Sequence, residues 1–426
     1  MNQKRLKKII GVVLSLLVVA VNYSTPVQQL TSLPDALVLR EGQEVRLAWG
    51  LPLKVRMNQQ DAAVISSGDE TLSDVARTDV ELAAVNAGQA QVQLSLFGSW
   101  PFKNVDVQVQ DQKILVPGGQ AIGVALHTSG VLVVGTSDLS GGASNPAKKA
   151  GLKPGDLICS IGGQEIQSAE HLAEVVNKLG NATVEVVVKR TGKQVHLNVS
   201  PVVDAIDGKY RLGVWVRDST AGVGTLSFYD PDSGYFGALG HAITDVDTGE
   251  FLTVREGNVM HAHIVDVLKG QRGEPGELKG SFLKEGETFG NILLNNQFGI
   301  YGKSDEAVVN PLYPNGLPVG SRSNVHEGKA SILSTVDGDT IKEYEVEITR
   351  CVSQGSASQK GMILRVTDPE LLETTGGIVQ GMSGSPILQD GYIIGAVTHV
   401  YVNDPTQGYG MYIEWMLEQS KQATAA

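Results

Sequence analysis

Apolar and polar residues alternate with a period of two along much of this chain, and the clearest example lies in its first quarter. Two neighbouring runs have an apolar residue at every second position: Val92, Leu94, Leu96, then Val105, Val107, Val109. A period of two is typical of strands that bury one face, and the segment 98–101 between the runs is suited to a turn. We therefore predict a small β domain over residues 31–106.

Helical spacing interrupts the strand pattern between residues 107 and 202. Four apolar residues recur at the spacing of one helix face: Leu172, Val175, Val176 and Leu179. Ser168 is suited to cap the start of this helix, and Gly180 is suited to end it. Strand-like runs follow at 184–189 and 194–199. The pattern predicts a second domain, residues 107–202, in which strands surround one main helix.

Short runs bounded by glycine continue through residues 203–426. They are strand-like at 211–216, 222–229, 235–239 and 391–400. Runs of this length, rich in β-branched residues and interrupted by glycine, indicate strands joined by tight turns. The region is long enough for about two six-stranded barrels, and we predict that the chain as a whole is mostly β.

Residues 1–30 have a different pattern from the rest of the chain. Four cations, Lys4, Arg5, Lys7 and Lys8, precede an apolar run from Ile9 to Val21. This is the layout of an export signal, so we expect the protein to leave the cytoplasm. The run lacks a clear cleavage site, which favours an uncleaved membrane anchor with the rest of the chain on the outer side of the membrane.

The composition narrows the classes of partner and cofactor. The chain has 34 Lys and Arg against 46 Asp and Glu, a formal charge of −12, so we predict no nucleic-acid partner. Its two cysteines, Cys159 and Cys351, form neither a disulfide framework nor a metal cage. His261 and His263, with Asp266 nearby, lack a third well-placed ligand, and solvent-facing strand residues are the better interpretation. We predict no metal and no cofactor.

The strongest chemical motif is Gly381-Met382-Ser383-Gly384-Ser385-Pro386, in which Ser383 stands between glycines. A serine hydroxyl is a poor nucleophile until a base removes its proton, so the motif needs a histidine and an orienting carboxylate elsewhere. His241, in a segment of small and apolar residues, and Asp368, after the apolar segment 361–367, are the candidates. The order His, Asp, Ser is that of chymotrypsin-type proteases.

These residue types suggest definite roles. His241 would accept the Ser383 proton and return it to the leaving amine, while Asp368 would fix the imidazole tautomer. The backbone N–H groups of Ser383 and Gly381 would form the oxyanion hole. Asp245 and Asp247 are competing carboxylates, although the turn-like segment around them favours a surface turn.

A second histidine competes for the role of base. His399 follows the serine by sixteen residues and falls on the strand expected beside the substrate. A residue in the wall of the substrate pocket is the better interpretation of this position.

The segment from Asn145 to Ile158 and the helix after Ser168 together resemble a PDZ domain of the bacterial protease type. That resemblance implies a groove between the second strand of the domain and the helix, in which an extended peptide adds as a strand. It also implies that a loop formed by Gln120, Ala121, Ile122 and Gly123 binds the peptide carboxylate.

Four motifs at spread positions point to one family. They are GALGHAITD at 237–245, QGMSGSPI at 380–387, VTHVYVNDP at 397–405 and GYGMYIEWM at 408–416. Together with the PDZ-like domain between anchor and catalytic region, these motifs resemble the stage IV sporulation protein B family of serine peptidases. The resemblance covers nearly the whole chain and implies a chymotrypsin-like double β-barrel over residues 203–426.

The family resemblance also implies a setting in endospore-forming bacteria. The expected protein is exported across the forespore membrane into the space between two membranes, cleaves itself in trans, and cleaves a membrane-anchored inhibitory subunit of an intramembrane metalloprotease complex. Activation of a late sigma factor would follow. The alternative is a catalytically silent PDZ scaffold in a membrane signalling complex, although intact His241 and Ser383 motifs favour the enzyme.

Overall fold

The computed structural model describes most of the chain after residue 32. The described ranges are 33–57, 61–67, 77–96, 100–139, 145–282 and 288–425, with isolated positions before them. The predicted signal or anchor at 1–30 lies almost entirely outside these residues. Within the described part, no helix combines the length and apolar character needed to cross a membrane. The chain divides into two compact units, residues 1–113 and 114–426.

The first unit is a six-stranded sheet with its own core. Its strands are β1 (Ala36–Arg40), β2 (Glu44–Arg56), β3 (Ile65–Ser67), β4 (Arg77–Ala84), β5 (Gly88–Leu96) and β6 (Trp100–Gln110), in the spatial order β1-β6-β5-β2-β4-β3. The predicted alternation is confirmed, because Val92, Leu94 and the three valines of β6 are buried. They pack around Trp49, which is fully buried.

The second unit begins with two strands and the PDZ-like elements. These are β7 (Ile114–Pro117), β8 (Ala121–Thr136), α1 (Pro146–Ala150), β9 (Leu157–Ile161), β10 (Gln164–Glu165), α2 (Ala169–Leu179), β11 (Val184–Arg190), β12 (Lys193–Val199) and β13 (Val202–Val203). Ser168 caps α2 by accepting the His171 N–H, and the helix ends at Gly180, as predicted. The apolar face of α2 packs on β9 and β11.

A first barrel follows the PDZ-like elements along the chain. Its region contains β14 (Tyr210–Arg211), β15 (Val214–Tyr229), β16 (Tyr235–Ala238), β17 (Val254–Leu268), β18 (Glu277–Phe282), β19 (Thr288–Asn296) and β20 (Gly299–Ser304). Six strands close a ring in the order β8-β17-β19-β20-β16-β15, because β15 also pairs with β8. The barrel therefore takes β8 from the stretch assigned to the PDZ-like domain.

The second barrel is continuous in sequence. After β21 (Leu317–Pro318) its strands are β22 (Gly328–Ser334), β23 (Lys342–Cys351), β24 (Met362–Val366), β25 (Pro386–Gln389), β26 (Tyr392–Val400) and β27 (Gln407–Tyr412). They close in the order β22-β23-β24-β27-β26-β25. Helix α3 (Pro369–Thr375) precedes the serine loop, and α4 (Ile413–Ala425) ends the fold. One apolar cluster joins the two barrels, which fixes the cleft between them.

Candidate active site

Ser383 lies on a tight loop that enters β25 of the second barrel. Gly381 and Gly384 on either side of it have φ of 95° and 98°, a region that favours glycine. A Cβ on Gly384 would lie 2.1 Å from the Thr225 carbonyl oxygen of β15, so the loop approaches the first barrel too closely for any side chain. Thr225 N–H donates to the Ser383 carbonyl at 3.0 Å, which fixes the loop against that barrel.

His241 lies on the first barrel, just after β16. The chain turns sharply there, since Leu239 and Gly240 both have positive φ, 69° and 71°. A left-handed leucine is strained by about 1 kcal/mol, and such strain persists where surrounding contacts enforce it. The strained turn carries His241 from the end of the strand to the barrel rim.

The imidazole of His241 is held in one tautomer. Its Nδ1 lies 2.9 Å from the Ala242 carbonyl oxygen, and because a carbonyl only accepts, Nδ1 carries the proton. Nε2 is therefore the basic nitrogen, as a serine base requires. Burial lowers the pKa of His241, and the bond to Ala242 opposes that change in part. The neutral form is favoured at pH 7.

His241 and Ser383 line one cleft of about 310 Å³. The first barrel contributes β15 residues 220–223, and the second contributes Gln380 and Gly381. Ser383 Oγ donates to the Thr398 carbonyl oxygen at 3.1 Å rather than to His241. The nucleophile must rotate from Thr398 to His241 before it can be deprotonated, so this arrangement is a resting one.

The serine loop also offers backbone donors to the cleft. Among the described residues, the N–H groups of Gly381 and Ser383 donate to no other group, whereas those of Met382 and Gly384 bond to Val379 and Val397. Two free N–H groups flanking a nucleophile are what a developing oxyanion needs. Nucleophile, base and oxyanion donors thus meet at one cleft between two β-barrels.

Comparison with known families agrees with this geometry. Residues 208–417 match the family model described as SpoIVB peptidase S55, and residues 121–200 match the model of a PDZ domain. The peptidase region of this chain belongs to the SpoIVB peptidase S55 family. The resemblance to that family of serine peptidases is confirmed, and the S55 region is a serine peptidase.

Curated relatives share shorter stretches with the chain. A putative zinc metalloprotease of Treponema pallidum (strain Nichols) is 31% identical over 100 residues, which are 22% of this chain and 21% of that protein. Serine protease HTRA1 of Xenopus tropicalis is 38% identical over 56 residues, 13% of this chain and 12% of that protein. The chain thus spans about a fifth or less of the length of these two relatives.

Solved structures match it at low identity. The active form of the Rv3671c protease from M. tuberculosis covers 48% of this chain and 74% of its own, at 14% identity and a TM-score of 0.27. The HtrA-type protease AlgW with a decapeptide covers 49% of this chain and 55% of its own, at 11% identity and a TM-score of 0.29.

Asp368 lies elsewhere than the triad prediction required. It is the N-cap of α3, and its carboxylate accepts the N–H of Leu371 at 2.9 Å and that of Glu345 at 3.3 Å. The described contacts of His241 do not include Asp368, because the Ala242 carbonyl occupies Nδ1. In this structure the carboxylate, which follows a strand and precedes Pro369, caps the start of α3, and its role beside His241 stays a prediction.

Asp245 and Asp247 form the turn predicted for them in the S55 region. Asp245 Oδ1 accepts the backbone N–H groups of Asp247 and Thr248, at 3.1 and 2.9 Å. The prediction of a surface position is wrong for Asp245, whose side chain is 0% exposed and pairs with Arg217. Neither carboxylate bonds His241 among the described contacts.

His399, which the sequence predicted to lie in the wall of the substrate pocket, packs beside His241. Its ring centroid lies 5.4 Å from that of His241, across the interface between the barrels. Nδ1 of His399 is buried and has no hydrogen-bond partner among the described residues. Burial, His241 and Lys360 lower the pKa of His399 to about 4, so it is neutral beside the catalytic imidazole at pH 7.

The predicted carboxylate-binding loop, Gln120–Gly123, is wrong. Ala121, Ile122 and Gly123 begin β8 and pair with β15 on one edge, and Ile122 and Gly123 also pair with β17 on the other. Their backbone groups are used inside the first barrel, so no free edge remains for a peptide. The repeated Gly-apolar pattern suited a barrel strand as well as a loop.

Residues 210–218, rather than the predicted loop Gln120–Gly123, lie alongside α2. Tyr210 N–H donates to Asn177 Oδ1 at 3.2 Å near the end of the helix, and Asp218 Oδ2 accepts the Ala169 N–H at 2.8 Å at its start. The edge facing the PDZ helix is therefore the beginning of β15. The sequence predicted a strand over 211–216, but it did not predict that this strand lies beside α2.

The remaining histidines and cysteines behave as single side chains. His261 bonds Glu306 at 2.9 Å and His263 bonds Asp339 at 2.8 Å. In the part of the chain that the structure describes, no cluster of three metal-ligating side chains occurs, and Cys159 and Cys351 are free.

Proposed function

We propose that this chain is an exported, membrane-associated serine endopeptidase that cleaves itself in trans and cleaves a membrane-anchored regulatory protein during endospore formation. Membership of the peptidase region in the SpoIVB peptidase S55 family supports the setting. The partner would be an inhibitory subunit of an intramembrane metalloprotease complex, and its cleavage would lead to sigma-factor activation.

The observation that carries the proposal is the shared cleft of His241 and Ser383. Rotation of Ser383 Oγ away from Thr398 brings the hydroxyl toward His241 Nε2, which takes its proton as Oγ attacks the peptide carbonyl. The N–H groups of Gly381 and Ser383 stabilise the oxyanion. His241 then returns the proton to the leaving amine, and water hydrolyses the acyl-enzyme by the same steps.

The PDZ-like elements would deliver the protein substrate. The edge of β15 beside α2 could accept an extended segment by backbone pairing, which is the general mode of such grooves. Since the same strand continues into the cleft wall at 220–223, a bound segment would lie on the strand that also lines the active site.

The N-terminal pattern supports the location. Four cations before an apolar run, residues 4–21, are what an export signal or anchor requires. Such a segment would place the catalytic region in the space between the forespore membranes, close to a membrane-anchored substrate.

The second candidate is a silent PDZ scaffold, and one observation favours it. Ser383 Oγ bonds Thr398, and the triad carboxylate position at His241 Nδ1 is filled by a carbonyl oxygen. A protein that stays in this arrangement would bind a partner without cleaving it.

Cleavage in trans distinguishes the two candidates. The purified full chain is mixed with a tagged Ser383→Ala chain, and the tagged products are mapped by mass spectrometry. We expect defined fragments that do not form when the enzyme is replaced by untagged Ser383→Ala chain. An intact tagged chain would favour the scaffold; the same reaction with the membrane-anchored partner in vesicles tests the regulatory role.

A further inference from the structure

Strand β15 touches every part of the catalytic apparatus in turn. Its first residues lie beside α2, and Asp218 holds the N–H of Ala169 at the start of that helix. Residues 220–223 line the cleft, and Thr225 Oγ1 donates to the Gly381 carbonyl at 2.7 Å. Between the groove and the cleft, one side chain reaches from β15 to the segment that carries His241.

That side chain is Arg217. One terminal nitrogen of its guanidinium donates to Asp245 Oδ2, and the other donates to Asp247 Oδ2 at 2.8 Å. Asp245 follows His241 by four residues in the sequence. A planar guanidinium bound to two carboxylates of one turn fixes that turn in position and orientation.

The turn at Asp245 also fixes the end of the segment that carries His241. Asp245 N–H donates to the Glu250 carbonyl at 3.0 Å, and Gly249 N–H returns to the Asp245 carbonyl at 2.8 Å. The other anchor is Asn295, whose amide accepts the Ile243 N–H at 2.8 Å. The segment that carries His241 is therefore held to β19 by Asn295 and to β15 by Arg217.

Asp245 carries its charge in this buried place. Burial would raise the pKa of Asp245, but hydrogen bonds from Thr248 and the Arg217 guanidinium outweigh it and hold that pKa below the usual range. A buried carboxylate without its cation is strongly unfavourable, so loss of Arg217 would displace the turn.

We propose that Arg217, through Asp245, is a positioning residue for the catalytic histidine of this peptidase. The pair sets the distance between His241 Nε2 and Ser383, and it ties that distance to β15, the strand shared with the PDZ-like elements. The inference rests on the serine-peptidase chemistry of the proposed function but needs no natural substrate.

The test is the rate at which a small fluorophosphonate labels Ser383 in the purified full chain. The rate of each variant is divided by the fraction of that variant that is folded at the assay temperature. We expect Arg217→Met and Asp245→Asn each to slow labelling about 10- to 100-fold, because a displacement of about 1 Å in a catalytic group costs this much. The double variant should be no slower than the worse single one, since the two side chains act as a unit.

A second buried pair in the same unit provides the matched control. Arg190 bonds both carboxylate oxygens of Asp156 in the PDZ-like elements, and the two side chains are 29% and 0% exposed, against 33% and 0% for Arg217 and Asp245. Arg190→Met should lower stability similarly but leave the labelling rate of folded protein within about twofold.

Rescue by the conservative variant separates positioning from general stability. Arg217→Lys keeps the positive charge, so it should label faster than Arg217→Met. Because it loses the two-pronged bond, its labelling rate should still be about three- to tenfold below that of wild type. Equal slowing by Arg190→Met and Arg217→Met, or additive effects of Arg217→Met and Asp245→Asn, would overturn the proposal. If Arg217→Met does not fold, the lysine variant decides, and a wild-type rate in Arg217→Lys would overturn the proposal as well.

Discussion

The two barrels contribute one catalytic group each, but they are built differently. The second barrel is one uninterrupted stretch from Gly328 to Tyr412, and its serine loop follows from local sequence. The first barrel pairs β8 with strands that begin more than 70 residues later, after the PDZ-like elements. Ser383 therefore lies on a loop formed within one continuous barrel and held by one further contact, to Thr225 of β15, whereas the barrel that carries His241 is itself assembled from distant segments.

The largest effect should come from removing either catalytic group. Ser383→Ala and His241→Ala should each reduce trans-cleavage of a separately tagged, inactive chain by at least about 10,000-fold, because nucleophile and base act as a unit. The double variant should be no worse. If His241→Ala retained substantial turnover while Ser383→Ala lost it, the first barrel would not supply the base.

The contact between the barrels can be broken with one methyl group. At Gly384 a Cβ would meet the Thr225 carbonyl oxygen at 2.1 Å, so Gly384→Ala should lower the free energy of unfolding by about 3 kcal/mol or more. Gly391→Ala is the control, since its φ is also positive, 81°, but nothing lies within 4 Å. It should cost about 1 kcal/mol. Chemical denaturation of both variants is the measurement; equal losses would show that the close approach does not matter.

Two substitutions of Asp368 can separate its structural role from a catalytic one. As the N-cap of α3, it should contribute about 1 kcal/mol to the free energy of unfolding, which Asp368→Ala removes and Asp368→Asn keeps. Trans-cleavage by the stable asparagine variant then shows whether the carboxylate also serves His241. Near-normal turnover would leave it as a cap; a loss of orders of magnitude would mean that it reaches His241 in the catalytic state.

The facing histidines of the two barrels predict a pH dependence. Burial lowers the pKa of His241 below 6.5, so turnover should decrease as the pH is lowered, along an acid limb whose midpoint lies below 6.5.

Both His241 and His399 have folded pKa values below their unfolded ones, so their contribution to stability is present above pH 6.5 and lost as pH falls toward about 4. His399→Gln should weaken this loss in acid, as measured by thermal unfolding across that range; an unchanged slope would contradict the assignment.

Much of the fold and half of the site followed from local sequence. Alternation in β5 and β6, the caps of α2, and the serine and histidine motifs all depend on neighbours within a few residues. The structure confirms the alternation and the caps, and it places Ser383 and His241 at one cleft. Ser383 and His241 could be paired because each motif is unusual in composition.

The rest depended on pairings that a single sequence does not contain. Gln120–Gly123 reads equally as a loop or a strand start, and only its partners in β15 and β17 decide between them. Asp368 was chosen by order along the chain, but an aspartate before proline is equally typical of a helix N-cap. Arg217 gave no local signal, since its partners lie about 30 residues away.

The central claim, that Ser383 is a nucleophile activated by His241, is tested most directly by locating a covalent adduct. The full chain is treated with a fluorophosphonate at neutral pH, and the modified residue is identified by mass spectrometry. We predict a single adduct on Ser383 that is absent from the His241→Ala chain. An adduct on another residue, or equal labelling of Ser383 without His241, would contradict the account.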